Sequence, residues 1–503
     1  MADQTRSSLR AGLEFLRVSA TTRCAGDRPA RVGTKVESAV TPPQTQPIPS
    51  RGMIPSTLRR PGAGGFWLAV LLTGAGTGLS AVALTRLLEM VQHVVWTGPG
   101  TDLLSAAERA GAWRHLLVLL GAGLVTGAGQ IILRRLSSGN GIDTTAAIWF
   151  HAGRLPALRT LGSAVLSVVI VGMGASLGRE GSPKQAGAVI ANGLSTTWRL
   201  SDEQRRLLVA CGAGAGMAAA YGVPLGGALF ALEVMRGVLG LRFVLPALVT
   251  SLVAAAVSWV ALPDAPVYLI PAYPSSISSM VWCLLAGPIA GVVSVGYVRM
   301  VTWADRQKPR GVRRVVAPLL GLGLLGAVSI WFPQVLGNGK DISQLAMTGE
   351  VAPVLLLALL VLKPAMTVLC IGVGAPGGLF TPSLTVGALL GGVLGHAWSW
   401  FWPGVPPGLF AVLGAGAVLA ATTQGPISTV VLMMELTGRE RSFITPLLVA
   451  VATATLVART IEPRSIYDAR LTDKEIEARQ KVRELPPQEP PPSGDGWDND
   501  VRS

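Results

Sequence analysis

Charge is what this chain has least of. Only 14% of its 503 residues are Asp, Glu, Lys or Arg, where a soluble protein carries about a quarter. So few charges cannot cover a water-exposed surface of this size, and the soluble globular classes are excluded. Acids are scarcer than bases, 28 against 42, for a formal net charge of +14. The bases fall in clusters between apolar runs, which argues against a nucleic-acid partner and for topology determinants. Cysteine is nearly absent. Cys24, Cys211, Cys283 and Cys370 are far apart, and three lie inside apolar runs. They read as small buried side chains, not as a metal pair. His93, His115, His151 and His396 show no metal spacing. No cofactor is expected.

What the chain does have is apolar length. Half of its residues are hydrophobic and 61 are Gly. Many runs reach the ~20 residues that cross a bilayer, so the expected class is an all-α polytopic membrane protein. The first span runs from about Gly65 to Trp96 behind Arg59 and Arg60, and the second from Leu116 to Leu133 before Arg134 and Arg135. A further basic cluster contains Arg306, Lys308, Arg310, Arg313 and Arg314. By the positive-inside rule these clusters and both termini are cytoplasmic, and the plasma (inner) membrane is the expected location. Later apolar stretches lie near Ala157–Ala175, Leu207–Met235, Phe243–Leu262, Met280–Met300, Val316–Trp331, Pro353–Ile371, Ser383–Trp400, Leu409–Met434 and Pro446–Val457. Several are interrupted, notably at Pro224, Gly374–Gly378 and Pro426. Residues 1–62 are polar and Pro-rich and read as a disordered tail. Residues 471–503 form a charged, then Pro-rich tail, shorter than an ordinary regulatory domain of about 50 residues.

One interruption carries charge. Gly174–Gly187 contains Arg179, Glu180 and Lys184 within apolar surroundings, and ionisable groups at membrane depth mark functional sites by default. Glycines bare the backbone there, and Pro183 suits the first turn of a helix. The sequence therefore predicts a break over Gly178–Ser182 and a new helix near Pro183. Its unpartnered first amides and positive dipole end would attract an anion. Glu180 is a tethered anion that can take up a proton. A removable carboxylate competing with a diffusible anion would be a gate; the plainer alternative is a Glu that caps a buried helix.

The two halves of the chain echo each other. Gly139-Asn-Gly-Ile-Asp143 recurs as Gly337-Asn-Gly-Lys-Asp341, and Gly174, Gly178 and Gly187 recur at Gly374, Gly378 and Gly387. Gly212, Pro224 and Glu233 recur at Gly414, Pro426 and Glu435, all at one offset of 202 residues. Two membrane repeats are expected, 63–270 and 271–470. Duplicated membrane units place their site at the repeat interface, on discontinuous helices, which here means the two glycine-rich breaks.

With these motifs in order, the chain resembles the CLC family of chloride channels and chloride/proton exchangers, in its prokaryotic-type form, over roughly residues 65–470. Gly178-Arg-Glu-Gly181 is similar to the family's GREGP motif, with Glu180 at the gating position. Gly378-Leu-Phe-Thr-Pro382 matches GxFxP, Gly139–Asp143 sits where the family has GSGIP, and Tyr467 where a pore tyrosine is expected. The resemblance implies an inverted-repeat fold with broken helices. It also implies a homodimer and one chloride path per subunit. Anions would be held by amides near Glu180–Gly181 and Leu379–Phe380 and by the side chains of Asn140 and Tyr467. Chloride, and protons where transport is coupled, are the implied partners, together with the bilayer.

The chain departs from the family at three places. Asn140 and Asp143 replace a serine and a proline, which leaves chloride, nitrate and fluoride open as the preferred anion. Ser182 replaces the motif's proline, as some fluoride exporters also lack it. Val234 stands where proton-coupled members often carry an internal glutamate; a valine cannot relay a proton, which favours channel-like or weakly coupled conduction. The alternatives are a chloride/proton antiporter and a fluoride/proton exchanger. A membrane-embedded enzyme using Glu180 as an acid would need a nearby partner group, and none is visible. Arg179 is expected to satisfy carbonyls or a buried acid more than to hold anions. Lys184 and Lys363 read as snorkelling or paired side chains. Glu233 and Glu435, at equivalent positions, suit a structural role at least as well as proton transfer.

Overall fold

The computed structural model describes residues 63–96, 102–136, 143–439, 443–468 and 471. Asn140, most of its motif and both tails lie outside the described residues. The first half runs through α1 (Ala63–Trp96), α2 (Leu103–Glu108), α3 (Ala112–Leu136), α4 (Thr144–Phe150), α5 (Ala157–Gly172), α6 (Gly181–Thr197), α7 (Asp202–Tyr221), α8 (Pro224–Phe230) with a π-turn over Ala231–Arg236, and α9 (Leu241–Ser258). The second half runs through α10 (Ile277–Arg306), α11 (Arg313–Ser329), α12 (Lys340–Thr348), α13 (Pro353–Gly372), α14 (Phe380–Phe401), α15 (Pro407–Thr423), α16 (Pro426–Thr437) and α17 (Ile444–Ile461). Seven of these helices are long and apolar enough to cross a membrane.

Apart from the short α2, which has no counterpart between α10 and α11, the order of long and short helices is the same in both halves, and so is the packing. α1 lies on α9 as α10 lies on α17, and α6 lies on α7 as α14 lies on α15. Helices in lipid gain little from hydrophobic contact with each other, so close backbone approach has to supply the attraction. Gly78 in α1 shows how close this is: a Cβ there would sit 2.6 Å from the Ala254 carbonyl of α9. Gly291 in α10 faces Ala454 of α17 at the same 2.6 Å.

The apolar run Leu207–Met235 is three elements. α7 opens on the capping box of Ser201 and Gln204, which satisfies otherwise orphaned amides. It closes at Gly222 in the left-handed conformation, φ 67°. Pro224 then restarts the chain as α8, since proline lacks only an amide that the first turn does not use. In the second half Gln424, φ 59°, takes the left-handed place and Pro426 restarts the chain as α16.

These restarted helices are capped across the repeat. The Glu435 carboxylate accepts from the amides of Leu225 (3.0 Å) and Gly226 (2.6 Å) of α8. Glu233 accepts from Ile427 (3.1 Å) and Ser428 (2.6 Å) of α16. Each half thus supplies the anion that the other half's helix end needs. The pair does the structural work that its equivalent positions suggest. Loss of a helix cap costs about 1 kcal/mol. Glu233→Ala and Glu435→Ala are each expected to lower the thermal midpoint in detergent, with the glutamine variants in between. Wild-type midpoints in both alanine variants would contradict the crossed caps.

Candidate functional site

Both glycine-rich breaks are built alike. α5 and α13 end at Gly172 and Gly372, and the chain turns through Gly174 (φ 107°) and Gly374 (φ 90°). Side chains rarely adopt that backbone conformation, so glycine is needed at both places. The freed carbonyls find partners: Gly174 accepts from the Gly337 amide at 3.0 Å, and Gly374 from the Gln130 side chain.

The breaks then meet. Gly178 and Gly378 exchange a pair of antiparallel backbone hydrogen bonds, each 2.8 Å, the one isolated bridge among the described residues. This clasp brings together the N-termini of α6 and α14. The first begins at Gly181, two residues before the expected Pro183. A Cβ on Gly181 would lie 2.9 Å from the Gly378 amide nitrogen, so the two helix tips nearly touch.

Glu180 stands at the N-cap of α6 but makes no side-chain cap there. It is 2% exposed, and its carboxylate reaches across to the other half. Oε1 accepts from the Phe380 amide at 2.8 Å and the Thr381 amide at 3.3 Å. Oε2 accepts from the Thr381 hydroxyl at 3.1 Å and the Tyr221 hydroxyl at 3.2 Å. The two hydroxyls are themselves 2.7 Å apart. Glu180 is therefore not the cap of its own helix. It is the anion on the positive end of α14, held by donors that carry no formal charge. The amides that hold the carboxylate are those of Phe380 and Thr381, and Phe380 is one of the two residues whose amides the resemblance assigns to the anion. Leu379 is the N-cap of α14.

Aromatic rings continue from this point. Tyr221 lies 6.3 Å from Phe380, Phe380 meets Phe230 edge-on at 6.4 Å, and Phe230 meets Tyr467 edge-on at 5.7 Å. Tyr467 thus reaches the Glu180 region through Phe230 and Phe380. The segment bearing it is tied down locally. The Ile466 amide donates to the Thr422 carbonyl at 2.8 Å, and Asp468 accepts from the amide and hydroxyl of Ser465.

The cations take other posts. The Arg179 guanidinium lies over the Tyr221 ring, 5.2 Å from its centroid, instead of on the acid or carbonyls expected from the sequence. The Lys184 ammonium lies over Tyr467 at 4.4 Å. Lys363, fully buried, donates to the carbonyls of Val335, Leu336 and Gly337 at 2.8, 3.0 and 2.9 Å. Val234 is buried in the π-turn beside Glu233. No group of three or more His, Cys, Asp or Glu able to hold a metal occurs among the described residues.

A cavity of about 500 Å³ lies on the side of the basic clusters. Its charged lining is Arg134, Arg159 and Lys308 against Asp143 and Asp305, and it reaches Gly374–Pro376 of the second break. Asp143 caps α4 there by accepting from the Thr145 amide at 2.9 Å. Neither Glu180 nor Tyr467 lines this cavity.

The chain has relatives among known proteins. Residues 122–459 match the model of the voltage-gated chloride channel family. A ClcB-like protein of Ralstonia nicotianae is 30% identical over 435 residues, covering 84% of this chain and 99% of its own. The H(+)/Cl(-) exchange transporter ClcA of Vibrio parahaemolyticus is 32% identical over 317 residues, covering 60% of this chain and 67% of its own. Among solved structures, a slow cyanobacterial Cl-/H+ antiporter superposes with a TM-score of 0.71 at 22% identity, over 83% of this chain and 99% of that one. A CLC-type fluoride/proton antiporter gives 0.66 at 22% identity, over 81% and 98%. The fold is the CLC-type inverted repeat of broken helices.

The glycines of the clasp leave room for the carboxylate. A Cβ on Gly178 or on Gly378 would collide with Oε1 of Glu180. A crystal structure of Gly378→Ala is expected to show the Glu180 carboxylate displaced from the Phe380 amide. A carboxylate still within hydrogen-bond distance there would contradict the packing argument.

Proposed function

The chain belongs to the voltage-gated chloride channel (CLC) family, and on that premise we propose that it carries chloride across the membrane under the control of Glu180. The observation that carries this reading is the carboxylate lying on the Phe380 and Thr381 amides. A helix end that holds a carboxylate suits a small inorganic anion, and the two cannot share it. Protonation removes the charge that earns the carboxylate its place, so a falling pH frees the donors. The anion would pass between this point and the cavity that ends at Gly374–Pro376, whose excess of Arg and Lys favours anions. Transport by competing ligands needs no bond-making step, so the protein is read as a transporter and not as an enzyme.

Coupling to protons has two readings. Val234 offers no proton-carrying side chain, and the adjacent Glu233 is bound to the α16 amides. Both favour channel-like or weakly coupled conduction. Strict exchange is the second reading, supported by similarity to the ClcA exchange transporter. A fluoride preference has the structural likeness to a fluoride/proton antiporter beside it, but that likeness speaks for the fold alone.

A homodimer belongs to the same reading. α8 and α16 have 7 and 12 residues, too short to span a bilayer. Their first turns leave Leu225 and Ile427 about half exposed, at 52% and 51%. Irregular backbone at membrane depth has to be covered by protein, and a second copy of the chain would cover this seam. The basic clusters support cytoplasmic termini.

Purified protein in liposomes is expected to release chloride faster as pH falls, and Glu180→Gln to release it at a rate independent of pH. Absence of chloride flux at every pH and voltage would sink the proposal. Under an imposed proton gradient, a reversal potential that stays at the chloride value supports conduction; one that moves with the proton gradient establishes exchange.

A further inference from the structure

Two of the four donors to Glu180 among the described residues are side chains: Tyr221 lies outside the motifs that mark the site, and Thr381 lies inside Gly378–Pro382. Tyr221 ends α7, and Thr381 is the second residue of α14. Tyr221 is 6% exposed and Thr381 2%. Their hydroxyls meet at 2.7 Å and converge on a single carboxylate oxygen, Oε2, while the amides serve Oε1. The oxygens thus have separate holders, amides for one and hydroxyls for the other.

We propose that Tyr221 and Thr381 form a hydroxyl latch that holds deprotonated Glu180 in the anion path and sets the pH at which it leaves. This rests on the reading of Glu180 as the gate. The amides are common to any backbone at this helix end and would hold any anion. The hydroxyl pair is particular to these side chains. A donor to the charged form of an acid favours that form, and a buried donor that loses its acceptor is left unsatisfied. Both effects keep the carboxylate charged and seated down to a lower pH than the amides alone would.

The geometry also explains how the latch is kept in place. Tyr221 sits between the Arg179 guanidinium and the Phe380 ring, and Gly222 beyond it ends the helix in the left-handed conformation. Thr381 is fixed by α14 itself, and its carbonyl accepts from Thr385 at 2.9 Å. The charged and titratable groups around the carboxylate are Arg179 and Lys184 on its own segment, Tyr221 of α7, Tyr268 between α9 and α10, Tyr297 of α10, and Tyr467 after α17. None of these is a second carboxylic acid. The seat therefore responds to pH through Glu180 itself, and its donors set the midpoint.

The test follows the carboxyl stretch of Glu180 by infrared difference spectroscopy on the full chain in liposomes, with gluconate in place of chloride. Glu180→Gln identifies the band. Tyr221→Phe and Thr381→Val are each expected to move the protonation midpoint to higher pH by about one unit, the worth of one hydrogen bond to a charged group. Thr381→Ser, which keeps the hydroxyl, is expected to restore the wild-type midpoint. Chloride flux should activate at a correspondingly higher pH in the two shifted variants. Midpoints unmoved in both Tyr221→Phe and Thr381→Val, or Thr381→Ser behaving as Thr381→Val, would overturn the latch. Should Tyr221→Phe not fold, the Thr381 pair decides alone. Infrared midpoints that move while wild-type flux ignores pH would uphold the latch and refute the gate.

Discussion

The arrangement depends on one contact: a carboxylate from the first half of the chain resting on the helix end of the second. A buried carboxylate is costly to remove from water unless hydrogen bonds replace the lost hydration. Four donors do so here, two of them amides that helix geometry leaves unpaired at any N-terminus. The left-handed turns at Gly174 and Gly374 aim both helices inward, and the Gly178–Gly378 clasp sets the distance between them. Without a side chain at either clasp glycine, Oε1 of Glu180 has room to lie across the junction. The break, the bridge and the acid are one construction.

The duplication shows where structure ends and function begins. Glu233 and Glu435 are the same residue in both halves and do the same thing, each capping the other's helix. The clasp is likewise symmetrical, glycine to glycine. The residues two positions beyond the clasp differ: Glu180 in one half and Phe380 in the other. One supplies the anion, the other the amide that receives it. A symmetrical pair of acids would put two like charges at one spot, and a symmetrical pair of aromatics would leave nothing to titrate. The repeat stops being a repeat at the contact on which the proposed function rests.

Much of this is legible in the residues alone. Charge inside an apolar run marks Glu180, glycine spacing marks the breaks, and the ordered Pro and Glu matches at one offset mark the duplication. Each of these is a local pattern or a recurrence, which a sequence displays directly. Tyr221 is not legible this way. It lies 41 residues from Glu180, at the end of an alanine-rich helix where a tyrosine reads as ordinary core. Its one hint is its place just before the Gly222–Pro224 break, since helix ends are where this fold assembles its site. Thr381 hides inside the Gly378–Pro382 motif, which draws attention to the amides before it. The motif locates the helix end, but only the carboxylate's reach selects which amides it meets. Charge is what the sequence shows of Arg179, which points to acids or carbonyls; the ring it covers comes from another helix.

The placement of the cations completes the physical picture. Lys363 is engaged by three carbonyls, Lys184 lies over Tyr467 and Arg179 over Tyr221. The four donors to the Glu180 carboxylate among the described residues are all neutral. A lysine in their place would bind an anion more strongly and release it too slowly, because conduction needs sites weak enough to leave. Neutral donors also cannot hold an ionised gate beyond the strength of a few hydrogen bonds. On the proposed reading the carboxylate and the transported anion would compete for the same neutral donors, and one proton would change which of them holds the seat.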